Sequence, residues 1–149
     1  MDPLYAVLLS WAVTLSGYPA PSEPPAVVPR PHAFFVAHAC GGHECKVLGW
    51  YGGGTEVYVD QSLDPQQDLL ASSIVVHEMV HYLQGVARGD SAVKAGAAYD
   101  TTPSCEQMVL WEREAYAVQR EFILQYGRYL PVGMSMLHVH CADAAADGH

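Results

Sequence analysis

Positive charge is scarce in this chain. Seven Lys and Arg stand against sixteen Asp and Glu, a formal net charge of −9 over 149 residues. A surface this acidic does not collect nucleic acid or an anionic membrane, so neither is expected as a partner. Charge of either sign is thin, at 15 % beside 50 % hydrophobic residues, which describes an ordinary globular chain with a rather apolar surface. Long apolar runs are missing too. Leu4 to Tyr18 comes nearest, and Ser10, Thr14 and Ser16 interrupt it; it is too short and too mixed to span a bilayer. No Lys or Arg precedes it, and Pro19-Ala20-Pro21 is a poor cleavage site, so a secretory signal is only the second reading. Leu4, Val7, Leu8, Trp11 and Leu15 recur at helical spacing, which predicts a first domain helix. Cys-x-x-Cys is absent. Cys40 and Cys45 bracket Gly41-Gly42-His43-Glu44, and Cys105 and Cys141 stand alone, which gives little support to a cysteine-type structural zinc site. Four cysteines allow three pairings, so free thiols and two disulfides both stay open. The cysteines leave the compartment open, with the cytoplasm slightly favoured and an exported or periplasmic, disulfide-bonded domain as the alternative.

The length predicts one domain, residues 1–149, with room for a modest core. Residues 19–31 are Pro-rich and read as a linker or a wrap along the surface. Ala33 to His38 reads as a strand. Val47 to Tyr51 and Thr55 to Asp60 flank Gly52-Gly53-Gly54, a hairpin signal. Val57 and Val59 alternate with Glu56, Tyr58 and Asp60, as in a strand with one buried face. Val86 to Thr102 is rich in Gly, Ala and Ser and is expected to form a rim. Met134 to Cys141 reads as a short strand or helix; His138, His140 and Cys141 there are a weak signal for a second metal site. Residues 142–149 are expected to be disordered.

What the chain does have is His77-Glu78-Met79-Val80-His81, an H-E-x-x-H pattern in an apolar run. On a helix, residues four apart share a face, so both rings can aim a nitrogen at one ion. Two neutral imidazoles suit Zn2+, and Glu78 is near enough to take a proton from a zinc-bound water. A surface helix with a chance His pair would spell the same five letters. Burial separates the two readings. Asp64, Pro65 and Gln67 form a helix start with a capping-box pattern, Leu69 to Val76 is nearly all apolar, and Gly85 is a plausible stop. Two His and a Glu buried in such a helix are costly unless satisfied by a metal or a hydrogen-bond network.

A hydrolytic zinc site needs a third protein ligand. The continuation with a third His is absent, because Gln84 and Ala87 occupy the diagnostic positions. A second helix is predicted from about Ser104 to Tyr126, capped by Ser104 with Gln107 and stopped at Gly127. Trp111, Ala115, Val118 and Phe122 form its core face, with Glu112 beside it. Glu112 is the candidate ligand and Glu114 the runner-up; they point to different sides, so only one can bind.

HEMVH followed by Glu112-x-x-Ala115 resembles the gluzincin metallopeptidases, and the short length resembles the compact minigluzincins and uncharacterised bacterial HExxH domain proteins. The resemblance covers about Val47 to Tyr126. It implies an α+β fold, with a small antiparallel or mixed sheet and hairpin packed on an N-terminal helix, an HExxH helix and a glutamate-bearing helix. It implies one Zn2+ on His77, His81 and Glu112, Glu78 as general base, and a peptide or protein substrate. In that family a strand edge lies along the cleft and can pair with substrate backbone. Many relatives carry Asp or Asn where Tyr116 stands, orienting the first His; here that role is unassigned. An oxyanion donor is also expected, with Tyr116, Tyr126, Tyr129, His138 and His140 available. Three functions follow: a zinc metallopeptidase, a zinc-binding but catalytically weak peptide- or protein-binding domain, or a structural domain with a chance motif.

Overall fold

The computed structural model describes residues 1–89 and 103–141. Most of the stretch expected to form a rim and the whole 142–149 end lie outside the described residues. Four α-helices and one three-stranded mixed sheet make up an α+β fold among them. The helices are α1 (Pro3–Ser16), α2 (His32–Ala39), α3 (Leu69–Ala87) and α4 (Cys105–Gln125). The strands are β1 (Ala26–Arg30), β2 (Gly49–Tyr51) and β3 (Glu56–Asp60), and a 3-10 turn spans Met134–His138.

The helix pair α3–α4 is the centre of the molecule. Residues Ala71 to Gly85 of α3 are buried except Ile74 and His81, because α4, α1 and the sheet pack around that helix. From α4, Ala115, Val118, Phe122 and Ile123 meet Val76, Met79, Val80 and Leu83 in one core, which Leu8 and Ala12 of α1 complete. Each fully buried aliphatic side chain in such a core contributes about 1.5–3 kcal/mol relative to exposure. Ala115 has no exposed surface; its small side chain allows the close approach of α4 to α3. Trp11 of α1 packs edge-on against Phe122 at 6.1 Å between ring centres, so the expected first domain helix is present and docked. None of the helices among the described residues is long and apolar enough to cross a membrane.

The strand order is β1-β3-β2. β2 and β3 form the expected antiparallel hairpin, with Gly49 opposite Val59 and Tyr51 opposite Val57. β3 is central, and the hairpin's outer strand is β2. The third strand was not legible: β1 lies in the Pro-rich stretch and pairs parallel with β3. Pro29 is tolerated because β1 is an edge strand.

Three boundaries differ from expectation. Ala33 to His38 is helical, not a strand. The run Phe34-Phe35-Val36 is apolar under either periodicity, and Phe35, fully buried, is its inward side. α3 begins at Leu69, capped by Asp68, whose side chain accepts from Leu70 N–H at 3.2 Å. Asp64-Pro65-Gln66-Gln67 forms a separate turn, joined to the helix when Ser72 Oγ donates to the Pro65 carbonyl at 2.7 Å. Gly85 does not stop α3. It is buried inside it, and the chain leaves the helix after Ala87, with Gly89 at φ 81°. The α4 expectations hold: Ser104 accepts from Gln107 N–H at 3.1 Å, and Gly127 has φ 72°.

All four cysteines are paired, Cys40 with Cys45 and Cys105 with Cys141. Pairing of this kind is in keeping with an oxidising, exported environment. It also removes Cys141 as a metal ligand. The second bridge closes a span of 36 residues between the start of α4 and the C-terminal segment. Chain-entropy scaling for that loop length assigns the bridge about 3–4 kcal/mol. Urea unfolding of a Cys105→Ala, Cys141→Ala double variant should show a loss of that size; an unchanged midpoint would show that packing alone holds the segment.

Candidate metal centre

α3 carries His77 and His81 one turn apart on the face turned toward α4 and an adjoining cleft. α4 delivers Glu112 to the same point. Glu112 Oε1 lies 2.8 Å from His77 Nε2 and 3.1 Å from His81 Nε2, and the two Nε2 atoms are 3.1 Å apart. One ligand atom from each residue lies within 4.8 Å of the others, and this group can hold a metal ion. It is the only such group among the described residues. His138 and His140 join no such cluster there, so the weak second-site signal has no counterpart.

The two Glu of α4 separate as their spacing requires. Glu112 turns to the rings, while Glu114 accepts from Gln84 Nε2 at 3.1 Å. Residues on α3 and α4 that sequence reasoning missed hold the rings from behind. His77 Nδ1 meets Gln119 Oε1 at 2.9 Å, and His81 Nδ1 meets Gln84 Oε1 at 2.8 Å. Gln119 lies seven residues after Glu112, two turns along the same helix, and stays buried at 3 % exposure. A Gln on the Trp111–Phe122 core face, one turn after Ala115, is the only sequence signal for it.

These contacts dictate the chemistry of the point where the side chains meet. With Nδ1–H donating to a Gln oxygen, each ring presents Nε2 to Glu112, as a lone pair when the ring is neutral and as a second N–H when it is charged. Two lone pairs and a carboxylate oxygen are three acceptors facing one another, and only a cation or added protons reconcile them. Two imidazoles and one carboxylate are also the donor set that suits a borderline metal such as Zn2+. Burial works to raise the Glu112 carboxyl, but hydrogen bonds from His77 and His81 and the charge of the rings hold it well below the ordinary range. Burial works to lower His81. The hydrogen bond to Glu112 and the charges of Glu78 and Glu112, helped by Gln84, overcome this and raise it to about 9. Both shifts express one fact: the cluster demands positive charge.

Glu78 is 6 % exposed and lines the cleft beside the rings. Burial pushes its carboxyl up, with the charge of Glu112 adding and the two His opposing. A raised carboxyl in a cleft suits a group that takes and returns a proton. β2 passes directly over it. A Cβ built on Gly49 would stand 2.8 Å from Glu78 Cγ and 2.8 Å from its Oε2, so only glycine fits there. The cleft has a volume of about 1190 Å3. The β2 edge forms one wall, and Val132, Gly133, Ser135 and Met136 contribute to another.

Tyr116 lines this cleft too, and its ring packs edge-on against His77 at 4.4 Å. Burial, then the charges of Glu112 and Glu78, push its hydroxyl up, against a hydrogen bond with Ser135. Gly133 makes room for it: at φ 73°, a Cβ there would be 2.7 Å from Tyr116 Cγ. Tyr126, Tyr129, His138 and His140 do not line the cleft. No protein-family model, no curated protein and no solved structure matches this chain.

The Gly49–Glu78 contact is directly testable. Gly49→Ala should destabilise the protein by about 1–3 kcal/mol through overpacking. In a Glu78→Ala background the same change should be close to neutral, and a thermal-unfolding double-mutant cycle reads that difference. Equal costs in both backgrounds would show that the strand does not press on Glu78.

Proposed function

We propose that this domain is a zinc-dependent metallopeptidase. One observation carries the reading: His77 Nε2, His81 Nε2 and Glu112 Oε1 converge as three acceptors beside the buried carboxylate of Glu78. When bound by these residues, Zn2+ lowers the pKa of a ligated water toward about 7 and polarises a carbonyl. With such a water in place, Glu78 would take its proton as the oxygen adds to the peptide carbonyl carbon, and would return that proton to the amine as the C–N bond breaks. Tyr116, the one of the five expected donors that lines the cleft, is the candidate for the developing oxyanion. β2 is the outer strand of the sheet along the cleft, so an extended peptide can pair with its edge and lie across the centre. With two disulfides, the peptides it meets are those of an oxidising, exported environment.

A catalytically weak domain of the same kind would bind zinc and peptide without turnover. Metal analysis with two variants separates these readings. Wild type is expected to take up one zinc per chain and to gain thermal stability with it. His77→Ala should lose most of that uptake. Glu78→Gln should keep the zinc while peptide cleavage falls about 10²–10⁴-fold, the share of a general base. Zinc uptake without cleavage of a diverse peptide library would favour the binding domain, and no uptake at all would leave the motif a chance one.

A further inference from the structure

We infer that Gln84 and Gln119 are positioning residues for the metal centre, and that they give it an outer shell of neutral amides in place of carboxylates. This rests on the reading of His77, His81 and Glu112 as ligands. It deepens that reading by assigning the role left open when Tyr116 stands where related enzymes carry Asp or Asn.

The orientation of each amide follows from its other partners. Gln119 Nε2 donates to Ser73 Oγ at 3.0 Å, and Ser73 Oγ donates its own proton to the Leu70 carbonyl at 2.7 Å. The hydroxyl therefore has only lone pairs left for Gln119, so the amide turns its NH2 to Ser73 and its oxygen to His77. Gln84 Nε2 faces the Trp111 carbonyl at 3.0 Å and the Glu114 carboxylate at 3.1 Å. Both are acceptors, so here too the NH2 is committed and the oxygen must face His81. Neither amide can flip without opposing two acceptors or two donors in a buried site, where Gln84 is 2 % and Gln119 3 % exposed. Each imidazole is thereby fixed with hydrogen on Nδ1, so that the neutral ring offers its lone pair from Nε2, on the Glu112 side.

The charge balance is the second consequence. Neither His is backed by a carboxylate, so Glu112 is the one anion among the ligands and their immediate partners. A neutral amide raises the basicity of its imidazole less than a carboxylate would, leaving a more electrophilic centre that holds its metal less tightly. Ser73 is fully buried, one turn before His77. Its position is explained by this role, since a Ser with no exposed surface in an apolar helix otherwise gains little.

The test compares zinc affinity, measured against a chromophoric chelator, in full-length wild type, Gln84→Leu, Gln119→Leu, Gln119→Glu and Ser73→Ala. Each Leu variant should weaken zinc binding about 10–100-fold, the usual cost of removing such a partner. Gln119→Glu still presents an acceptor to Nδ1 and should match wild type or bind more tightly. In zinc-loaded protein with labelled histidine nitrogens, the Nδ1–H resonance of His77 should be protected in wild type and Gln119→Glu and lost in Gln119→Leu. Ser73→Ala leaves every ring contact in place but unpins the Gln119 amide, and should weaken binding in the same direction by less. Should a Leu variant fail to fold, the Ser73→Ala and Gln119→Glu pair decides the question. Wild-type affinity and a protected Nδ1–H throughout the series would overturn this inference while leaving the metal centre standing. A wild type that takes up no zinc would overturn both.

Discussion

Three electron-rich atoms held face to face are the constraint on which the rest of this structure depends. Glu112 cannot sit about 3 Å from two imidazole nitrogens in a half-buried seam unless something positive joins them. The surrounding protein does not relieve that demand; it enforces it. Packing of Ala115 against α3 brings the helices close. The amides behind the rings prevent them from turning away. The apolar core from Leu8 to Phe122 makes the seam rigid enough for the demand to be specific. Without that rigidity, Glu112 would swing to solvent and the two His would be an ordinary pair.

The sheet contributes through its outer edge rather than its size. Three short strands are a poor core, and most of the buried volume belongs to the helices. What β2 does is set a boundary. It runs alongside α3, with Gly49 against Glu78 and Tyr51 packed edge-on to Tyr82 at 5.9 Å. The opposite wall, Val132 to Met136, is tied to the start of α4 by the Cys105–Cys141 bridge. The cleft is thus framed by elements far apart in the chain, all referred to the same helix pair.

Strongly periodic and chemically loud features were legible in the sequence: α4 with its Ser104 cap, the docked α1, the Gly-rich hairpin, and the His77, His81 and Glu112 set. The failures have particular causes. Phe34-Phe35-Val36 satisfies either period, and the flanking Ala residues, which favour helix, decided it. Asp64 and Asp68 are both good caps four residues apart, and the second won because Asp64 is used in its own turn. β1 was hidden by its prolines, since a parallel edge strand needs few donors and no local partner. Gln84 and Gln119 were invisible for another reason: a neutral amide has no motif, and its importance lies in what stands on either side of it in space.

The separation of the ligands along the chain has a kinetic meaning. His77 and His81 come together as soon as one turn of α3 forms, yet Glu112 is 35 residues from His77 and reaches it only when α4 docks. A nascent or partly unfolded chain offers two nitrogens and no complete cage, so it competes poorly for metal against other chelators. On the proposed reading, capture of an ion would mark completion of the helix pair rather than formation of either helix. The hydrolytic chemistry proposed for the cleft would then switch on only in chains that are already folded.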